Sequence, residues 1–343
     1  MKKRSVFDKK LWIGIGISLF FLYILFREVR PDQLLAAISN IDYRYLLPAL
    51  AFTMIGYYLR AVRWKYLLAP IKSTSMKNLF PSTIIGYMAN NLLPARLGEL
   101  VRAYVLGEKE GMDKSSVFAT LVLDRLLDGF TVLILLVLTL LMLRLPEGMT
   151  GARKGLEYGG YAAVGFYLLV ILVLAVLKVW STKAILFLEW ALKPFPERFR
   201  NKAVVLAGSF VQGIRFSARP GEIMGLFVSS LLIWALAVWT VNLILLAFNI
   251  VLPVTAAMFI LILIVFAVMV PASPGYVGTY HAACMYGLMA FNLPKEKALS
   301  VALIVHAMNF FPVTLLGLWY VIRDKISLRD VETQSLERGD FVE

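Results

Sequence analysis

Six apolar runs, each long enough to cross a bilayer, fix the solvent in which this 343-residue chain must fold. A hydrocarbon core of roughly 30 Å takes about 20 residues of helix. On that ruler spans fall at 10–28, 43–69, 115–143, 158–179, 222–247 and 297–322. Two further stretches, 77–106 and 255–292, are apolar but cut near their middles by proline and glycine, so neither is expected to form one continuous helix. The expected fold is an all-α polytopic membrane protein with six full transmembrane helices and two re-entrant broken-helix hairpins. Composition agrees: 60% of residues are hydrophobic and 17% charged, which excludes an ordinary soluble globule.

Other classes drop out quickly. The single Cys284 rules out a disulfide framework, and two histidines with one cysteine cannot build a structural zinc site, so no metal or cofactor is expected. The net charge of +13 gathers in loops beside the spans, where the preference of basic residues for the cytoplasmic side accounts for it, and no nucleic-acid partner is implied. The N-terminal MKKRSVFDKK and the apolar run 11–26 resemble a signal peptide but lack a small-residue cleavage site before Arg27, and read as a retained first helix.

Charge also orients the chain. With both broken stretches leaving by the side they enter, one side receives the basic N-terminus, Lys72, Lys77, the 180–220 connection and Arg323, Lys325 and Arg329. The other receives few basic residues, largely balanced by acids. Both termini are therefore expected in the cytoplasm, in the plasma membrane, with 331–343 as a disordered cytoplasmic tail.

The broken stretches resemble each other. LPARLG at 93–98 and VPASPG at 270–275 share an apolar-Pro-Ala-x-x-Gly pattern, and each precedes a helix, a polar connection and a long span. In those spans Arg125 and Asp128 correspond to His306 and Asn309, both pairs at i, i+3 on one helix face. One membrane domain, 1–330, is expected to contain repeat one at about 43–143 and repeat two at about 222–322. The single crossing 158–179 between them makes the second repeat inverted.

Inverted repeats whose discontinuous helices meet near the midplane are a transporter design. In NNLLPARLGELVR, 90–102, Asn90, Asn91, Pro94, Gly98 and Glu99 form the break, and a helix restarting near Glu99 would aim its positive N-terminal end at the tip. That end and Arg96 suit an anion, most simply a phosphate. Arg102, a turn further on, either reaches the same anion or snorkels to the headgroups. Within the following span Asp124, Arg125 and Asp128 lie too deep to face lipid. Two readings stay open: a buried cluster with Glu99 that holds hairpin one in place, or a lining of the pathway that binds a headgroup or carries a proton.

The second half offers Pro271, Ser273, Pro274, Gly275, Tyr276, Thr279, Tyr280, His281, His306 and Asn309. Its histidines can titrate near neutral pH or serve as interhelical hydrogen-bonding groups. Arg60 and Arg63, beside Trp64, are expected to snorkel at the inner interface. Segment 181–216, with Ile185, Leu188, Leu192 and Phe195 on a basic background, reads as an amphipathic helix on the cytoplasmic leaflet.

NNLLPARLGELVRAYVL, LDRLLDG and PASPGYVGTYHAA, with the final span, resemble the transmembrane, flippase-like domain of the lysylphosphatidylglycerol synthases over roughly 10–325. The resemblance implies a lipid-handling domain and marks Asn91, Pro94, Arg96, Gly98, Glu99, Arg102, Asp124, Arg125 and Pro271 to Gly275 as site positions. In two-domain synthases such a domain moves an aminoacylated phospholipid and is joined to an aminoacyl transferase. The tail here is too short for such a transferase, so the expectation is the membrane domain alone. The expected function is translocation, between leaflets, of an amphiphile with an anionic or phosphate-bearing headgroup. A membrane lipid- or sugar-modifying transferase, and a non-transporting partner of a lipid-biosynthetic enzyme, are the alternatives. The expected partners are the bilayer and its lipid substrate, with a homodimer and a separate biosynthetic enzyme both admitted. No GxxxxGK[ST] pattern is present for nucleotide binding.

Overall fold

The structure is a computed structural model that describes residues 39–93, 97–142, 180–194, 219–269 and 274–326, with isolated residues elsewhere. A 3-10 turn at Tyr43–Tyr45, capped by Asp42 accepting from the Arg44 N–H, leads into α1 (Leu46–Leu68). Then come α2 (Met76–Leu92), α3 (Gly98–Glu110) and α4 (Lys114–Met142). Beyond α5 (Ser181–Ala191) follow α6 (Pro220–Ala247), α7 (Val254–Met269), α8 (Thr279–Met289) and α9 (Lys295–Arg323). The described residues are overwhelmingly helical.

Four helical segments, 43–68, 114–142, 220–247 and 295–323, are long and apolar enough to cross a membrane. They match the spans expected at 43–69, 115–143, 222–247 and 297–322. Those expected at 10–28 and 158–179, and the tail 331–343, fall largely or wholly outside the described residues. The helix expected over 181–216 is interrupted: α5 ends at Ala191, the chain turns through 192–194 before Pro196, and helical positions resume from 197.

Both interrupted stretches become pairs of short helices. Ser75 caps α2 by accepting from the Lys77 N–H, and α2 stops where Leu93, the residue before Pro94, turns extended. The chain re-enters helix at Gly98 and leaves it at Gly111, whose φ of 62° is the left-handed conformation of a C-terminal glycine cap. In the second half α7 and α8 flank a turn at Pro274–Tyr276, with positive φ at Gly275, Tyr276 and Gly278.

The members of each pair pack on each other, α2 on α3 and α7 on α8. The wider pattern survives exchange of the halves: α1 packs on α6, α9 on α2 as α4 on α7, α3 on α4 as α8 on α9, and α1 on α2 as α6 on α7. The pairs are rooted at opposite ends of α9, a rod of about 43 Å for its 29 residues. Lys109, at the end of α3, meets Asp324 just beyond the C-terminus of α9, whereas α8 joins the N-terminus of α9 through the short connection 290–294. The tips meet near the middle of α9. Asn91 donates to Thr314 Oγ1 at 2.9 Å and to the Phe310 carbonyl at 3.4 Å, and Gly275 packs on the Phe310 ring. A Cβ at Gly275 would stand 3.0 Å from that ring and 3.6 Å from the Asn91 carbonyl oxygen.

Candidate functional site

Where α1, α4, α6 and the two tips converge lies a cavity of about 760 Å³. One pole is polar, with Arg60, Arg125, Asp128, Tyr57, Tyr87, Asn91 and Trp234; Tyr276, Tyr280, His306 and Asn309 add further polar lining, and the Tyr57 hydroxyl donates to the Asn309 carbonyl at 3.3 Å. The remaining wall is aliphatic and aromatic, supplied mainly by Val132, Val241, Leu261, Ile264, Phe266 and Met269. Gly56, Gly129 and Ala237 leave the space open because they project little or nothing into it.

The polar pole rests on a layer of buried charge. Arg63 exposes none of its surface; its Nη2 is 2.8 Å from Asp124 Oδ1 and 2.8 Å from Asp128 Oδ1, and its Nη1 donates to Ser230 at 3.2 Å. Arg102, only 2% exposed, donates to Asp124 at 3.3 Å and lies 3.9 Å over the Trp64 ring. In front of this layer Arg125 donates to Tyr87 Oη at 2.8 Å and pairs with Asp124 and Asp128 at 3.1 and 3.3 Å; Glu99 stands 3.9 Å away. Arg60 pairs with Asp128 at 3.4 Å and lies against the Tyr87 and Trp234 rings. Among the described residues four guanidinium groups thus face three carboxylates, leaving one positive charge in excess at the cavity end. Donors are also in excess: Nε and Nη2 of Arg102 and Nε of Arg125 are buried without a hydrogen-bond acceptor.

Two expectations are corrected here. Arg63 does not snorkel and Trp64 is not interfacial, since both are fully buried and the Trp64 indole donates to Thr120. Arg60 turns to the cavity for the same reason: α1 presents Tyr57, Arg60 and Trp64 at helical spacing toward its neighbours, where carboxylates on α4 compensate the charge. Arg102 does not snorkel, because it is buried; its Nη1 engages Asp124.

The remaining site residues divide by position. Arg125, Asp128, Asn91, Tyr280, His306 and Asn309 line the cavity, while Asp124 lies behind its wall. Asn90 sits at the start of α3, accepting from the Gly98 N–H at 2.8 Å and donating to Glu99 at 3.3 Å, so one of the amide groups at this helix end is already engaged. His281 is buried behind His306, with its Nε2 2.9 Å from His306 Nδ1. Pro94, Arg96, Pro271, Ser273 and the Pro274 side chain lie outside the described residues. Tyr57, Tyr87 and Trp234 were not singled out from sequence. Tyr57 shares a face with Arg60, a spacing that contained the signal.

An all-helical integral membrane protein with a charged cavity between two broken-helix pairs is the class defined by this architecture. The chain belongs to the family described as the lysylphosphatidylglycerol synthase TM region, which matches residues 11–317. It is 22% identical to a UPF0104 membrane protein of Methanocaldococcus jannaschii over 90% of this chain and 93% of the relative. A UPF0104 membrane protein of Methanothermobacter thermautotrophicus is 33% identical over 38% of each chain. Glycosyltransferase AglD of Haloferax volcanii is 24% identical over 95% of this chain, which spans 56% of that relative.

Proposed function

We propose that the protein moves an amphiphile with an anionic headgroup between leaflets, the headgroup seated at Arg60 and Arg125 and the tail along the apolar wall. The observation that carries this reading is the polarity of the cavity: a pole with one positive charge in excess runs directly into an aliphatic lining of a kind a lipid tail shares. The two helix pairs, rooted at opposite ends of α9 with touching tips, suit a six-helix, two-hairpin inverted repeat in which each hairpin opens to one side in turn. Charge bias favours cytoplasmic termini and a plasma-membrane location. Asp124 and Arg102 then anchor hairpin one, and Asp128 orients Arg60 and Arg125.

The test is leaflet exchange of labelled lipids in proteoliposomes, with phosphatidylglycerol, phosphatidylcholine and a polyprenyl phosphate at matched protein incorporation. Exchange of an anionic lipid in preference to phosphatidylcholine, lost in Arg125→Gln, is the expected result; no exchange of any lipid overturns it.

A second reading, a membrane transferase or the membrane partner of one, is favoured by the relative named a glycosyltransferase. It predicts a modified lipid product where translocation predicts an unmodified one. Against it, Asp128, the carboxylate on the cavity wall, already accepts from three arginines and from the Trp234 indole, a poor arrangement for a base.

A further inference from the structure

We propose that His281 and His306 form a proton-binding site whose loading releases the turn at the tip of hairpin two. Backbone groups fix the tautomers. The Gly278 N–H can only donate, and it meets His281 Nδ1 at 3.4 Å, so that nitrogen is the acceptor and His281 carries its proton on Nε2. His281 Nε2 therefore donates across 2.9 Å to His306 Nδ1. His306 Nδ1 is therefore the acceptor, and His306 carries its proton on Nε2.

The result is a chain of two hydrogen bonds, Gly278 to His281 to His306, that ties the turn to α9. A further proton has no free nitrogen to occupy. On His281 Nδ1 it confronts the Gly278 N–H; on His306 Nδ1 it confronts the His281 proton, unless that proton shifts to Nδ1 and again meets Gly278. Each arrangement places N–H against N–H and breaks one link of the chain. In the turn that loses the link, Tyr276 is held at φ of 56°, a left-handed conformation unfavourable for a residue with a Cβ, between Gly275 and Gly278, whose positive φ glycine adopts freely.

The pair's titratable neighbours among the described residues are Tyr280 and Cys284 on α8, Tyr276 in the turn and Tyr57 on α1; Phe310 and Asn309 come from α9, and the charged groups on the same cavity are Arg60 of α1 and Arg125 and Asp128 of α4. Tyr280 stacks on His306 at 4.6 Å, and His306 lines the cavity, which provides the route for the proton. Gly275 touches Phe310, the residue to which Asn91 of hairpin one also donates, so opening the turn loosens the seal between the two tips.

These are the protein's two histidines, so [15N]histidine labelling in nanodiscs reports on this pair and nothing else. At neutral pH the spectrum is expected to show two protonated and two unprotonated ring nitrogens with a coupling across the internal N–H···N bond. On acidification the pair is expected to take up one proton as a unit, while amide protection over 276–281, corrected for intrinsic exchange, falls about tenfold, the scale of one lost hydrogen bond. His281→Asn, whose side-chain oxygen can still accept from Gly278, is expected to abolish that fall. Independent titration of two solvent-like histidines, or unchanged protection across the titration, overturns the proposal. Only the consequence for transport rests on the translocation reading. A turn that opens with acid in a protein that exchanges no lipid at any pH refutes translocation and leaves the switch standing; lipid exchange with an unresponsive turn does the reverse.

Discussion

Arg63 and Asp124 form an ion pair of 2.8 Å in which neither side chain exposes any surface. Such a pair ties α1 to α4 through charges that neither water nor lipid can compensate if one is lost. Arg63 and Arg102 both rely on Asp124, and removing one partner of a buried pair typically costs about 3–5 kcal/mol. Asp124→Asn is therefore expected to lower the unfolding free energy in detergent by roughly that amount, whatever the transport activity. Wild-type stability in that variant would mean that the cluster does not carry the α1–α4 contact.

The two arginines in front of this layer behave differently. Arg60 is partly exposed to the cavity and Arg125 still more so, and each keeps neighbours that remain compensated when it is neutralised. Arg60→Gln and Arg125→Gln are expected to fold, and to reduce exchange of an anionic lipid roughly ten- to hundredfold, the worth of one charge-assisted hydrogen bond. Rates measured beside melting curves check this. An equal loss for an anionic and a zwitterionic lipid would move the headgroup site elsewhere.

Gly98 is required by the close approach of α2 and α3. A Cβ there would lie 2.1 Å from the Gly86 carbonyl oxygen and 2.5 Å from the Asn90 side chain, and neither the backbone nor the capping amide can give way cheaply. Gly98→Ala is expected to cost at least the 1–3 kcal/mol typical of overpacking, roughly, and to open hairpin one. Gly111→Ala has no steric neighbour and suffers only from its positive φ, so it is the control with the smaller loss. Comparing the melting temperatures of the two variants decides the point.

Much of this architecture was legible because lipid makes sequence simple. Apolar length gave α1, α4, α6 and α9, and Pro94, Gly98 and the PASPG run placed both interruptions. The i, i+3 pairs Arg125–Asp128 and His306–Asn309 do line one cavity. Illegible were the partners of Arg60 and Arg63. Periodicity puts a residue on a helix face but not opposite a particular neighbour, and Asp124 lies 61 positions away from Arg63. Tyr57, Tyr87 and Trp234 were hidden for a related reason: in an apolar span an aromatic ring reads as filler or interfacial belt until the facing cation is known. Segment 181–216 reads as one helix because its apolar spacing outweighs two prolines, which in the structure interrupt it.

Asp324 provides a last prediction, at the rim where hairpin one meets the end of α9. The carboxylate accepts from Arg323 Nε and pairs with Lys109 of α3, and the Arg323 hydrogen bond, followed by Lys109, holds its pKa below the usual carboxylate range. A depressed folded-state pKa means that the contact's contribution is complete above the unfolded value, about 4, and is lost as the pH falls through the lower folded one. The link between α3 and α9 should therefore be insensitive to pH around neutrality and fail only in strong acid, with added salt weakening it at any pH. Asp324→Asn should reproduce the acid effect at neutral pH. Disulfide trapping between Lys109→Cys and a cysteine introduced at Ile326, in a Cys284→Ala background, cannot test the charge itself because it removes Lys109, so amide exchange over 104–110 is the suitable measurement. Faster exchange there in Asp324→Asn, with the protection of α7 unchanged, is expected. Unaltered exchange would show that apolar packing of Val105 on its neighbours suffices to dock hairpin one against α9.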